Sequence, residues 1–382
     1  MKIVHICLAC FYVEGMGYQE NILPKMHARE GNDVTILTSD FTFTNKGEVR
    51  KKDIGEYINE YNVKVKIIQK DTRIALFEKY RVYKGLYSEL EMEQPDIIFV
   101  HGGQFFPVND VIRYVKRHNA KLFMDQHGDY YNMPVNNLKG YIWQKIIYRP
   151  CMRKLAKFSQ KVYGVTPWRC QYLNDVYGID KNKIELLVMG GDDERIDIEN
   201  RNEICAEIRK KHNIKENDFL IVTGGKIDKT KNIHLLMKAI SNINRENVKL
   251  IVFGEPNAAM EQEFEKLACN PNIRAIGWLA AEEAYNYFLA ADLVVFPGTH
   301  SVMWEQACAC AVPCIFKHWE GMHHVDIGGN CEFLYDDSVE EMERVIVGII
   351  DDEKKYLEMK KASQRGITEF SYKEIAKRAI NF

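Results

Sequence analysis

The sequence has almost no excess of charge of either sign. It carries 52 Lys and Arg against 54 Asp and Glu in 382 residues, a formal net charge of −2 at pH 7. A chain balanced in this way has no general attraction for nucleic acid, so no nucleic-acid partner is expected and any basic function must be local. It also lacks an apolar run near the ~20 residues that a membrane-spanning helix needs. Its ten cysteines (7, 10, 151, 170, 205, 269, 308, 310, 314 and 331) show no disulfide framework and lie mostly in apolar surroundings. They read as reduced thiols of a cytoplasmic protein. "CLAC" (Cys7 to Cys10) has no second Cys or His pair at a fitting distance, and Cys308, Cys310, Cys314, His318, His323 and His324 lack a paired-Cys spacing. No metal site is expected from them. No secretory leader is expected either: "KIVHICLACFYV" is interrupted by His5, followed by Glu14, and has no small-residue cleavage site. It reads as a first β-strand.

What is present is an ordinary globular composition, 46% hydrophobic and 28% charged, with length for two or three domains. Residues 2–38 read as strand, a loop holding Gly15 and Gly17, helix and strand. Residues 219–253 repeat that plan: "FLIVT", "GGKIDKTKN", "IHLLMKAISNI", "VKLIVF". In that second helix Ile233, Leu236, Met237 and Ile240 follow the i, i+3, i+4, i+7 spacing of an amphipathic helix. Further short apolar runs ("VKVKII", "DIIFV", "KLFMD", "KVYGVT"; then "IRAIGW", "DLVVFP", "VPCIF") alternate with helical patterns. Two such openings predict an α/β chain of two Rossmann-like domains with parallel sheets, facing an interdomain cleft. The expected division is 1–190, a polar linker at 191–215, 216–365, and a C-terminal helix at 366–382 that packs back toward the first domain.

Several stretches carry chemistry. Gly224 and Gly225 end an apolar strand, and Lys226, Lys229 and Lys231 cluster before a helix. Glycines let the backbone approach a ligand, and helix N–H groups favour an anion, so a phosphate or diphosphate suits this loop. It is not a P-loop, because the G-x-x-x-x-G-K-[ST] spacing is absent. A solvated basic loop is the alternative for the lysines alone. "EGMGYQE" with Asp40 invites a nicotinamide reading, but Glu20 stands where the third small residue of that fingerprint belongs. His127 in "DQHGD" and His101 in "FVHGG" both fall at strand ends, where ligands bind in open α/β sheets, although a lone His is more often structural. From Tyr130 to Asn174 no acid occurs, while Lys139, Lys145, Arg149, Arg153, Lys154, Lys157, Lys161 and Arg169 alternate with Tyr141, Trp143 and Tyr148. Such a surface suits an anionic membrane or a phosphorylated acceptor; a solvated helix face is the plainer reading. Finally, "VVFPGTHSVMWEQACACAVPCIF" (294–316) sets one acid, Glu305, between two apolar segments. A carboxylate is almost never buried unless it is paired or holds a ligand.

These stretches together resemble the GT-B glycosyltransferases of family 4, the group 1 glycosyltransferases. The resemblance covers most of the chain and is strongest from about 160 to 335. It rests on "VTPWRCQYLNDVYGIDKNKIELLVMGGD", "GGKIDKTKNIHLLMKAI", "VFGEP" and "IRAIGWLAAEEAYNYFLAADLVVFP". Members of this family usually carry two Glu with seven residues between them. Glu305 matches the second, but Pro297 stands where the first would fall, and Thr299, His300 and Ser301 occupy a shortened loop.

The resemblance implies retaining transfer of a hexosyl or N-acetylhexosaminyl group from a UDP- or GDP-sugar. The acceptor would be a lipid-linked or saccharide chain of bacterial envelope polysaccharide (O-antigen or capsule type), made at the cytoplasmic face of the membrane. It places the acceptor side in 1–190, with Gly15 and His101, and the donor in 216–365. The implied catalytic residues are His127, Lys226 and Lys231. The implied donor contacts are Gly17, Gly225, Lys226, Lys231, Gly254, Trp278, Leu279, His300, Ser301 and Glu305, with Glu305 accepting bidentately from the ribose diol and His300 or Ser301 taking the missing Glu's place. No metal or other cofactor is expected, the lysines supplying positive charge to the leaving diphosphate. Two other readings stay open: a GT-B-type nucleotide-sugar epimerase or hydrolase, and a non-catalytic nucleotide-sugar-binding protein.

Overall fold

The computed structural model describes residues 1–10, 12–43, 49–73 and 81–381. The chain divides into two compact units, Met1–Met189 joined by the residues from Ile375 onward, and Gly190–Glu374.

The first unit is built on β1 (Lys2–Cys7), β2 (Asp33–Ser39), a small antiparallel pair β3 (Phe41–Phe43) and β4 (Val49–Lys51), β5 (Glu56–Ile58), β6 (Lys64–Ile68), β7 (Ile97–His101), β8 (Lys121–Gln126), β9 (Lys161–Gly164) and β10 (Ile184–Leu186). Eight of these form one sheet in the order β10-β9-β8-β7-β1-β2-β6-β5, parallel except for the edge strand β5. The runs are almost wholly apolar because helices cover both faces of a parallel sheet; β7 is buried at all five positions. Order reverses beside β1, whose neighbours are β2 and β7. That reversal opens a crevice at the C-terminal strand ends, where Cys7–Cys10, His101 and His127 lie.

The second unit holds β11 (Phe219–Gly224), β12 (Val248–Phe253), β13 (Ile273–Ala275), β14 (Leu293–Phe296), β15 (Cys314–Lys317) and β16 (Cys331–Leu334). All six are parallel, in the order β13-β12-β11-β14-β15-β16, the Rossmann order with its switch point between β11 and β14. Helix Ile233–Ile243 follows β11 and buries Ile233, Leu236, Met237 and Ile240, the stripe expected from the sequence. Each such side chain, fully buried, contributes about 1.5–3 kcal/mol.

One segment differs from the sequence reading. Residues 191–215 belong to the second unit and carry a helix, Arg201–Lys211, rather than forming a bare linker. That helix is held by polar anchors: Arg201 Nε donates to Leu289 O (3.0 Å), and Arg209 pairs with Asp292 (2.7 Å). The C-terminal helix runs Tyr372–Ile380, and its Ala376 carbonyl faces His27 Nε2 at 2.9 Å.

Candidate functional site

In the second unit three loops meet at the switch point. A Cβ on Gly254, which has φ +111°, would overlap the carbonyl of Gly225, and one on Gly298 would overlap the backbone of Lys231. Only glycine permits that interlock of the loops after β11, β12 and β14. Lys231 closes it further: its Nζ donates to Thr299 O (2.7 Å) and His300 O (3.3 Å). Burial lowers its pKa, with Asp228 pulling the other way. An ammonium has three N–H donors, so one remains for a ligand. Lys226 is three-quarters exposed, 4.0 Å from Asp228. Asn232, at the start of helix Ile233–Ile243, donates to Pro297 O (3.1 Å).

Glu305 answers the question the sequence raises. It lies on the short helix Met303–Ala309, is 0% exposed, and accepts two imidazoles on one oxygen. His300 Nε2 is 2.8 Å and His324 Nε2 2.7 Å from Oε1. Burial alone would raise its pKa, but the two histidines outweigh it and hold the carboxyl at about 2. Oε2 is buried with no hydrogen-bond partner among the described residues, and so is His324 Nδ1. The expectation of a carboxylate offering both oxygens to a ribose diol is therefore corrected: Oε1 is already taken, and Oε2 alone remains. Trp304 stacks on Phe316 beneath it (4.6 Å, 21°) and fixes the helix.

In the first unit, Asp125 at the end of β8 is the buried centre. Its Oδ2 lies 2.9 Å from His101 Nδ1, 3.2 Å from His127 Nε2 and 3.2 Å from Gln19 Nε2. Burial works against its charge, yet His101 and His127 hold its pKa well below the usual carboxylate range. The His127 contact is close enough for charge but is not aligned as a hydrogen bond. His127 keeps a third of its side chain exposed, and Asp125 raises its pKa against the effect of burial. His101 is a correction: at 1% exposure it cannot touch an acceptor, and it stands behind Asp125, bonded to His5 at 3.0 Å. Gly15 is exposed with φ +72° and donates its N–H to Glu60 (3.0 Å); Gly17 lies in the same loop, ahead of helix Gln19–Arg29.

Each triad, His101–Asp125–His127 and His300–Glu305–His324, brings three ligating atoms within 4.8 Å. Around a tetrahedral zinc with bonds of about 2.0–2.2 Å such atoms would stand about 3.3 Å apart. The contacts of 2.7–2.9 Å made by His101, His300 and His324 are hydrogen-bond distances, shorter than that spacing, while Asp125 and His127 stand 3.2 Å apart, close to it. Cys308, Cys310 and Cys314 are buried and join neither group.

The remaining sequence-predicted residues fall as follows. Ser301 is half-buried in the loop that carries His300. Trp278 and Leu279 follow β13, Trp278 two-thirds exposed, and Gly277 O accepts from Gly254 N (2.7 Å). The basic stretch is narrower than expected. Arg169 is buried against Asp129 (3.1 Å), Arg149 donates to Tyr177 O, and Lys161 pairs with Glu185. What faces outward is Lys139, Arg153, Lys154 and Lys157 with Leu138, Tyr141, Ile142 and Ile146. Sequence reasoning missed His5, His27 and the role of His324. A histidine inside an apolar strand, as in "IVHIC", was the available signal for the first.

Comparison with known proteins follows this division. The model described as "Glycosyl transferases group 1" matches residues 205–366, and "Glycosyltransferase Family 4" matches residues 23–195. No curated protein sequence matches the chain. Among solved structures it is similar to a glycosyltransferase from Rickettsia africae (TM-score 0.71, 15% identity, covering 99% of this chain and 96% of that one). A sucrose-phosphate synthase from Thermosynechococcus elongatus gives 0.68 and 16% identity over 99% and 96%. Anabaena HepE in complex with UDP gives 0.69 and 14% identity over 99% and 98%.

Proposed function

The chain belongs to the group 1, family 4 glycosyltransferases, two Rossmann-like domains of GT-B type, and from that premise we propose that it transfers a sugar, with retention, from a UDP- or GDP-sugar to a lipid-linked or saccharide acceptor in bacterial envelope polysaccharide synthesis. The observation that carries the donor assignment is Glu305 Oε2, a buried carboxylate oxygen with no donor among the described residues, at the switch point of the second sheet. Leaving such an acceptor unmet costs about 1–3 kcal/mol, and a ribose hydroxyl supplies what it lacks. HepE, with the same type of fold, has been solved with UDP.

On this reading the nucleotide lies along the loops after β11, β12 and β14, its base by Trp278 and Leu279 and its ribose on Glu305. The bond from the anomeric carbon to the diphosphate oxygen breaks, the electron pair leaves with the nucleoside diphosphate, the acceptor's hydroxyl oxygen bonds to the anomeric carbon from the same face, and its proton passes to the departing diphosphate. Lys226 and the free donor of Lys231 meet that developing charge; fixed positive groups of this kind are what lowers such a barrier. No metal is needed for the same purpose, so chelator should leave turnover unchanged. His300, aligned by Glu305, stands in for the absent first Glu, and His127 is the catalytic residue proposed in the first unit.

For the acceptor, support comes from the exposed Leu138, Ile142 and Ile146 beside Lys139, Arg153 and Lys157. Apolar and cationic groups side by side suit an anionic membrane face, where lipid-linked acceptors are found. No helix among the described residues is long and apolar enough to cross a membrane.

The test is transfer of labelled sugar from a panel of UDP- and GDP-sugars to lipid-linked and free saccharides, with the product's anomeric configuration read by NMR. A product of unchanged configuration, lost in His127→Ala, supports the proposal. Sugar released or epimerised at full rate without acceptor would favour the epimerase or hydrolase reading. Donor binding with no turnover would favour a non-catalytic role.

A further inference from the structure

Behind Asp125 runs a row of three buried imidazoles. His101 Nε2 meets His5 Nδ1 at 3.0 Å, His5 Nε2 meets His27 Nδ1 at 3.0 Å, and His27 Nε2 meets the Ala376 carbonyl at 2.9 Å. The rings come from β7, β1, helix Gln19–Arg29 and, for the carbonyl, the C-terminal helix. His5 lies 5.2 Å from His101 by centroid with 16° between planes, and 5.1 Å from His27 with 31°. That is the geometry of imidazoles joined edge to edge through in-plane N–H···N bonds, not of stacked faces.

Such a row can be counted. It has four links: Ala376 O to His27, His27 to His5, His5 to His101, and His101 to Asp125. Each link needs one proton. The carbonyl at one end and the carboxylate at the other are both acceptors, and a neutral imidazole brings a single N–H. Three neutral rings therefore supply three protons for four links. With three neutral rings and an ionised Asp125, some pair of lone pairs would face each other, buried, at about 3 Å.

We propose that this row holds one proton more than three neutral imidazoles, that the extra proton rests on His101, and that the His101 imidazolium is the standing counter-charge of Asp125. The residues His5, His27 and His101 are then positioning residues for His127. The carboxylate oxygen that draws a proton onto His127 is partly offset from behind, so the rise in the exposed ring's pKa is held smaller than Asp125 alone would make it. The placement of the charge follows from distance, since His101 alone of the three touches the carboxylate. It also agrees with burial, which pushes His5 well down and His27 to about 4. The other groups acting on this end are Gln19 on Asp125, and Glu20 and Arg169 on His127. The proton count is independent of the role proposed above for His127; only the consequence for a ligand rests on that reading.

The experiment is long-range ¹H–¹⁵N NMR of histidine-labelled, ligand-free full chain at pH 7, with His127 titrated separately. One doubly protonated ring at His101 and two singly protonated rings at His5 and His27 are expected. His27→Gln keeps a donor for Ala376 O and an acceptor for His5, so the imidazolium should persist. His27→Phe removes the link that demands the extra proton: His101 should become neutral, and the pKa of His127, which His27 does not touch, should rise by about a unit or more. Three neutral rings in the unmodified protein would overturn the proposal even if the Phe variant failed to fold. So would an unchanged His127 titration in a folded His27→Phe.

Discussion

Replacing Glu305 by alanine tests what a single buried carboxylate holds. The side chain is fully buried, and its Oε1 is the acceptor for His300 and His324. Truncation strands both N–H donors in the interior, and breaking a buried pair from one side costs about 3–5 kcal/mol. The acid–base linkage gives a similar figure. The carboxyl lies at about 2 rather than its ordinary 4.5, and at 1.36 kcal/mol per unit that is worth roughly 3 kcal/mol. Because the folded value is depressed, this stabilisation is complete above about pH 4.5 and is lost as the pH falls toward 2. In a unit of this size each kcal/mol moves the melting temperature by about 2–4 °C. Scanning calorimetry at pH 7 should then show Glu305→Ala melting roughly 6–20 °C below the unmodified protein, with the gap closing on acidification to pH 3 and below. Glu305→Gln, whose amide oxygen can accept both imidazoles but carries no charge, should forfeit this charge-dependent part and melt below wild type, between it and the alanine variant. An alanine variant within about 2 °C of wild type at pH 7, or a gap indifferent to pH, would refute the reasoning.

The two lysines should separate. Lys226→Ala removes an exposed charge and should lower turnover on the order of 10²-fold with an unchanged melting temperature; near-wild-type turnover would move the diphosphate site elsewhere. Lys231→Ala should lower turnover similarly and also cost about 1–3 kcal/mol, because Thr299 O and His300 O lose their donor; equilibrium denaturation checks it. Sedimentation with vesicles rich in anionic lipid should carry the protein down at low salt, and Ile146→Glu with Lys139→Glu should abolish that. Binding unaffected by the double change would assign the exposed Leu138–Ile146 face to solvent.

The two sheets were legible because parallel strands are buried on both faces and therefore read as bare apolar runs. "DIIFV", "KLFMD" and "DLVVFP" each become a strand. The helix at 201–211 was not, because only Ile208 is buried and its attachment runs through Arg201 and Arg209, which leave no apolar period. The glycine loops and Glu305 were visible as local patterns. Their partners were not: His324 lies 19 residues from Glu305, and His5 lies 96 from His101, distances at which no spacing rule applies. For the same reason Arg169 read as part of a basic surface, although it is buried against Asp129, 40 residues earlier.

The central claim is that the second unit binds a nucleoside diphosphate through Glu305. Calorimetric titration with UDP, GDP and ADP, on the unmodified protein and on Glu305→Gln, tests it most directly. Selective binding of one diphosphate is expected, weakened about tenfold or more in a variant that is still folded at the assay temperature, the loss expected for a hydrogen bond to a charged group. Equal affinity in the two proteins, or no binding of any of the three, would contradict it.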